Sequence, residues 1–183
     1  MKIVLDACVL YPTIMREILL GLVEQGGFRP LWSSKILAEW QHAAARGGEA
    51  VQAQAGVEIA LLKTRWPHAS VDIEALDMEN FWLPDPEDRH VLAAAVHGGA
   101  ESIVTMNLKD FPSRVLGQHD LYVRHPDAFL LEAAQSGELD PVIHAVWQKS
   151  EQISGRDLVL RNLLKRTGLP RLGRHYQDFP RTA

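Results

Sequence analysis

Four carboxylates, Asp6, Glu39, Asp88 and Asp110, stand where a predicted strand ends or where the helix after it begins. Asp6 closes the apolar run Ile3-Val4-Leu5. Glu39 falls in the second turn of the helix that follows a strand at 28–32. Asp88 opens a helix behind Pro84-Asp85-Pro86-Glu87, and Asp110 comes shortly after a strand at 102–105. In a parallel sheet, ligands gather beyond the carboxyl ends of the strands, and the helices that follow strands start at that same edge. These four side chains are therefore expected in one cleft. Gathered carboxylates repel one another, and a divalent cation supplies the missing charge. Oxygen donors without His or Cys partners favour Mg²⁺ or Mn²⁺ over zinc. Such a cation activates a water as nucleophile and neutralises charge developing on a phosphodiester. Taken singly, each residue has an ordinary reading. Asp6 suits a turn, Glu39 a solvated helix face, and Asp110 a cap. Asp88 suits a helix dipole that Asp85 or Glu87 would serve equally. The joint spacing is what points to chemistry.

The elements that must position these residues alternate along the chain. A strand at 2–5 has the unbroken apolar run of a strand buried on both faces. A helix starts at Tyr11-Pro12-Thr13 and stops at Gly26-Gly27. Ser33 or Ser34 caps the next helix, and another helix covers 49–66 before Pro67. A strand is predicted near Phe81-Trp82, and 121–123 reads as an edge strand. This order favours an α/β sandwich around a mainly parallel sheet. From Pro126 the pattern turns helical, with helices predicted over 127–136, 141–149 and 155–166.

Charge follows the same division. The chain of 183 residues has net charge −4, yet from Pro141 onward 8 Lys and Arg stand against 3 Asp and Glu, and the first 140 residues carry 11 against 20. An acidic body with a basic tail suits an acidic site whose polyanion is held elsewhere. Tail candidates for phosphate contact are Lys149, Arg156, Arg161, Lys165, Arg166, Arg171 and Arg174. Arg16 and Arg89 are candidates nearer the cleft. Tyr176 is a candidate for stacking on a base. His90 and His97 read as helix-surface residues, and Trp32, Trp40 and Trp82 as core. A lone cysteine, Cys8, rules out an internal disulfide and fits a reducing compartment. With no signal-peptide pattern at the N-terminus and no membrane-length apolar run, the expectation is a soluble cytoplasmic protein.

Several chemistries are excluded. A haloacid-dehalogenase phosphatase needs a second Asp two residues after the first, where this chain has Cys8. The paired acids of a receiver domain are missing, and residues 6–13 hold none of the glycines of a dinucleotide-binding turn.

The stretches VLDACVLYP, SSKILAEW, LPDPEDRHVLAAAVHGGAESIVTMNLKDFP and HPDAFL together resemble PIN-domain ribonucleases, most closely the VapC-like toxins of bacterial toxin–antitoxin pairs. The resemblance implies a three-layer α/β/α sandwich, with a PIN nuclease domain at 1–126 and a C-terminal helical extension at 127–183. It implies Mg²⁺ or Mn²⁺ held by Asp6, Glu39 and Asp88, and hydrolysis of RNA to 5′-phosphate and 3′-hydroxyl products. Many members carry Asp at the fourth acidic position, where this chain has Asn107; Asp110 is the candidate replacement. Thr105 is placed to bond Asp6 or a phosphate oxygen. Cys8 stands where relatives often have Asn and reads as a small buried thiol. An antitoxin protein and a second copy of the chain are the implied partners. The alternatives are a PIN fold that binds RNA or protein without cleaving, which Asn107 favours, and an RNA-processing nuclease without an antitoxin.

Overall fold

The structure, a computed structural model, describes residues 1–180. In chain order the elements are β1 (Lys2–Leu5), α1 (Ala7–Leu10), α2 (Thr13–Glu24), β2 (Arg29–Ser33), α3 (Ser34–Ala45), α4 (Glu49–Arg65), β3 (Ser70–Val71), α5 (Arg89–Gly98), β4 (Ser102–Val104), α6 (Ser113–Leu116), β5 (Tyr122–Arg124), α7 (Pro126–Gln135), α8 (Asp140–Ser154), α9 (Leu160–Arg166) and α10 (Pro170–His175). They form two compact units. One comprises Met1–Tyr11 with Phe28–Arg124, the other Pro12–Gly27 with the residues from His125 onward.

The first unit is built on a five-stranded sheet of order β3-β2-β1-β4-β5, parallel throughout. It has the α/β/α fold class expected from the alternation of elements. β1 is central: Ile3 lies opposite Pro30 of β2 and Val4 opposite Ile103 of β4. Ile3, Val4 and Leu5 are all fully buried, which is why their run shows no polar alternation. α5 contacts β1, β2 and β4 and buries six consecutive residues, His90 to Ala95. It ends at Gly99, whose φ of 63° lies in the left-handed region that a side chain disfavours.

The predicted strand at Phe81-Trp82 does not form. A 3-10 turn over Met78–Asn80 precedes it, and Pro84 follows it without an N–H to give. Trp82 is 59% exposed, so it is not the core residue its type suggested, whereas Trp32 and Trp40 are buried. The strand next to β2 is β3 instead.

In the second unit the tail carries four helices where three were predicted. α8 runs on to Ser154 and stops at Gly155, at φ 64°. Gly155 thus ends a helix rather than starting one, and α9 begins only at Leu160. α10 was not anticipated. Its N-terminus is tied down by Asp127, a buried residue whose Oδ2 and Oδ1 accept from the backbone N–H groups of Arg171 and Leu172, each at 2.9 Å. α2 and α8 meet at Gly21, where a Cβ would come within 2.4 Å of Val142. Tyr176 is buried, and its hydroxyl donates to Asp140 Oδ1 at 2.7 Å. It is a core residue, not an exposed stacking platform.

Replacing Asp127 by Ala strands two buried N–H groups that bonded a charged acceptor. The expected loss is about 3 kcal/mol, and Asp127→Asn is expected to lose about half of that. Urea denaturation followed by circular dichroism measures both.

A candidate active site at the carboxyl edge of the sheet

Asp6 is the hinge between β1 and α1. Its N–H donates to Val104 O of the neighbouring strand at 3.2 Å, and its carbonyl accepts from Val9 and Leu10 to begin the helix. The side chain is nearly buried and held at one oxygen. Oδ2 accepts from Thr105 Oγ1 at 2.6 Å and from Cys8 Sγ at 3.1 Å. Thr105 sits just past β4; its hydroxyl also accepts from Asn107 N at 3.0 Å. Cys8 Sγ accepts from Met106 N at 3.2 Å. Each hydroxyl or thiol has one hydrogen, and each spends it on Asp6. The Cys8 thiol is pushed up to about 12, chiefly by burial and then by the charge of Asp6, so it stays protonated and can donate.

Glu39 comes from α3, which starts where Ser33 Oγ accepts from Ile36 N at 3.2 Å. Asp88 is the last residue of a 3-10 turn over Pro86–Asp88 that Asp85 organises by accepting from Glu87 N at 3.0 Å. Asp88 occupies the N-cap position of α5 but makes no side-chain cap bond. Its Oδ2 is buried without a hydrogen-bond partner. The capping work that would account for Asp88 structurally falls instead to Asp85. The Asp88 carboxyl is raised from 3.8 to about 6, first by burial, then by the charges of Asp6, Asp85 and Asp110, with His90 pulling the other way.

Asp6, Cys8, Glu39, Arg46, Asp88 and Asn107 line one open groove of about 490 Å³. Asp110 closes the 3-10 turn Leu108–Asp110; it does not line the groove, and its charge reaches the site through Asp88. Among the described residues no three His, Cys, Asp or Glu side chains are gathered tightly enough to hold an ion as they stand. The donor set is nevertheless suited to a hard cation. It offers oxygens from Asp6, Glu39, Asp88 and Asn107, one of them buried and unsatisfied, and Asp6 sits close enough to Asp88 for its charge to add to the effect of burial on the Asp88 carboxyl.

For two neighbours of the site the sequence reading gave the wrong setting or none. His90 is not on a helix surface: it is 1% exposed, and its Nε2 lies 2.7 Å from Glu39 Oε1, a close ion-pair contact that falls short of hydrogen-bond geometry. The signal was present in Val91-Leu92-Ala93-Ala94-Ala95, apolar on every face, since such a helix is buried all round. His97, by contrast, is exposed. Arg46, the C-cap of α3, is exposed at the groove and has no ion-pair partner among the described residues. It was missed because the length of α3 was needed to place it.

Of the other cations named from the sequence, Arg89 has its Nε buried and unpartnered. Arg16 lies in α2 and is only 6% exposed. Arg161, Lys165 and Arg166 are exposed on α9, with Arg161 Nη1 donating to Gln177 Oε1 at 3.5 Å. Lys149 pairs with Glu17 at 2.5 Å. No helix among the described residues is long and apolar enough to cross a membrane.

Comparison with known proteins places this groove in a family. The PIN domain family matches residues 2–109, more than half of the chain and inclusive of Asp6, Glu39, Asp88 and Asn107. A stretch of 46 residues is 56% identical to a protein of Mycobacterium tuberculosis carried under the name of a ribonuclease, VapC50. That match covers 25% of this chain and 27% of the relative, so the chain spans about a quarter of the length of the relative it matches. No solved structure gives a significant match. From the family match, with the parallel sheet and the groove at its carboxyl edge, the chain belongs to the PIN-domain family.

Proposed function

We propose that this protein is a Mg²⁺- or Mn²⁺-dependent endoribonuclease. The observation that carries the reading is Asp88: a groove-lining carboxylate with a buried unsatisfied oxygen and a proton affinity raised by burial and then by the acids around it. In this reading Asp6 and Asp88 hold the cation and Glu39 ligates it or orients the attacking water. When bound, the cation supplies charge neutralisation and lowers the cost of ionising water at neutral pH. Thr105 and Cys8 fix Oδ2 of Asp6, so the carboxylate keeps one orientation toward the groove. His90 braces Glu39 from beneath. Arg46 offsets phosphate charge at the rim. Asn107 contributes a neutral amide oxygen where relatives often have a fourth charge, and Asp110 adds negative potential through Asp88. Attack in line with the departing 3′-oxygen leaves a 5′-phosphate and a 3′-hydroxyl.

The wider role follows the VapC-like toxins that the sequence resembles. The protein acts in the cytoplasm as the toxin of a toxin–antitoxin pair, and an antitoxin covers the groove. The chain pairs as a homodimer, and the extension at 127–183 offers Arg161, Lys165 and Arg166 to RNA. Asn107 favours a second reading, a PIN fold that binds RNA without cutting it.

Incubating cellular RNA with the purified protein separates the two. Cleavage with Mn²⁺ or Mg²⁺ that disappears in EDTA is the expected result, and binding without cleavage supports the second reading. Asp6→Asn is expected to lower the cleavage rate by roughly a hundredfold or more, and Thr105→Val, which removes a supporting bond, by roughly tenfold.

Asp88 also predicts a pH dependence in metal-free protein. Its folded pKa is about 6 against an ordinary value of 3.8. Between those values the folded state binds more protons than the unfolded state, so stability falls as pH rises through about 6. The group is partly exposed, and after discounting for solvent screening the effect is about 1 kcal/mol. In EDTA at pH 7.5, Asp88→Asn is therefore expected to stabilise the fold by about 1 kcal/mol while abolishing activity. Thermal melts from pH 4 to pH 8 measure it.

A further inference from the structure

A second cavity lies in the first unit, at the opposite end of β1 from Asp6. It is larger than the carboxylate groove, about 810 Å³ against about 490 Å³. Its lining differs in character. Lys2, Arg29, Arg65 and His97 stand around it with a single acid, Asp72. Trp66, Leu31 and Pro67 supply apolar wall. The guanidinium of Arg65 lies over the Trp66 ring, 5.3 Å from its centroid, and Trp32 meets Trp66 edge-on at 6.4 Å. The cavity floor is built, not incidental. Lys2 Nζ donates to Gly98 O at 2.9 Å, and a Cβ at Gly98 would come within 2.8 Å of Leu31. Arg29 is exposed and, among the described residues, has no carboxylate partner.

We infer that this cavity is a nucleotide-binding subsite, separate from the carboxylate groove. The volume falls within the range of small-molecule pockets, roughly 300 to 1,000 Å³. The mixture of cations with an aromatic and apolar wall is the pairing that holds single-stranded nucleic acid: charge for the phosphate, ring surface for the base. Three fixed positive charges against one negative make the cavity attractive to a phosphate ester, which the acidic groove repels in the absence of a cation. β1 separates the two places by about 13 Å, so they cannot take the same phosphate. The nucleotide is a unit of an RNA strand or a free nucleoside monophosphate, two sources of one chemistry. The first of these rests on the ribonuclease reading above.

The test uses the full chain in EDTA, so that cleavage plays no part. A short labelled single-stranded RNA is titrated by fluorescence anisotropy against wild type and Arg29→Glu across about 50 to 200 mM salt. In parallel, the indole N–H resonance of Trp66, assigned with Trp66→Phe, is followed as RNA, adenosine 5′-monophosphate or inorganic phosphate is added. The expected results are roughly fivefold weaker RNA binding by Arg29→Glu at low salt, a salt slope smaller by about one, and a shifted Trp66 resonance. A shift with the monophosphate but not with RNA assigns the subsite to free nucleotide, and Arg29→Glu then weakens that binding instead. A Trp66 resonance unmoved by either ligand overturns the proposal, as does Arg29→Glu binding equal to wild type for the ligand that shifts it. Because no arm needs cleavage, failure here leaves the nuclease reading standing. An inactive protein with Arg29-dependent binding overturns only the nuclease reading.

Discussion

Electrostatic crowding at one edge of a parallel sheet is the constraint around which the first unit is organised. Parallel strands all finish on the same side, and their following helices all start there. Acids at those junctions are driven together by topology, whatever their mutual repulsion. The protein manages the repulsion locally. Asp6 is quieted by two donors on one oxygen, Glu39 by the contact with His90. Asp88 has neither, and burial, with the acids around it, raises its proton affinity. One carboxylate of the groove is thus left without a compensating partner.

The supports of Asp6 explain why Cys8 is tolerated at that position. What the position supplies is one donor toward Asp6 and one acceptor for Met106 N. An amide side chain offers both, and so does a thiol, provided it keeps its hydrogen. Burial beside a carboxylate guarantees that. The same environment that makes the thiol a dependable donor makes it a poor nucleophile.

The fold was legible where periodicity had a single cause. Ile3-Val4-Leu5 read as a strand buried on both faces, and Ser33-Ser34 announced α3, with Ser33 the residue that caps it. Asp6, Glu39, Asp88 and Asn107 followed from their places at strand ends and helix starts. Reading failed where a residue's role depends on partners distant in sequence. Trp82 has core chemistry but lies beside Pro84 on an unpaired segment. Tyr176 faces Asp140, 36 residues away. α10 has weak internal signals and depends on Asp127, a cap supplied from another helix. Gly155 permits both a start and a stop, and its positive φ decides for the stop.

α5 deserves a different description from that of a core helix. Its first turn carries Asp88 to the acidic groove, and its last residue, Gly98, forms part of the basic cavity. Ten residues of rigid helix, about 15 Å, are the ruler between them. With His90 to Ala95 all buried, the helix has no free face on which an extra residue could be accommodated. An insertion would turn one end by about 100° relative to the other and pull either Asp88 or Gly98 out of place. The two ends are therefore locked to one spacing: loops around either can change length without disturbing it, while the segment between them tolerates only substitutions that keep its count.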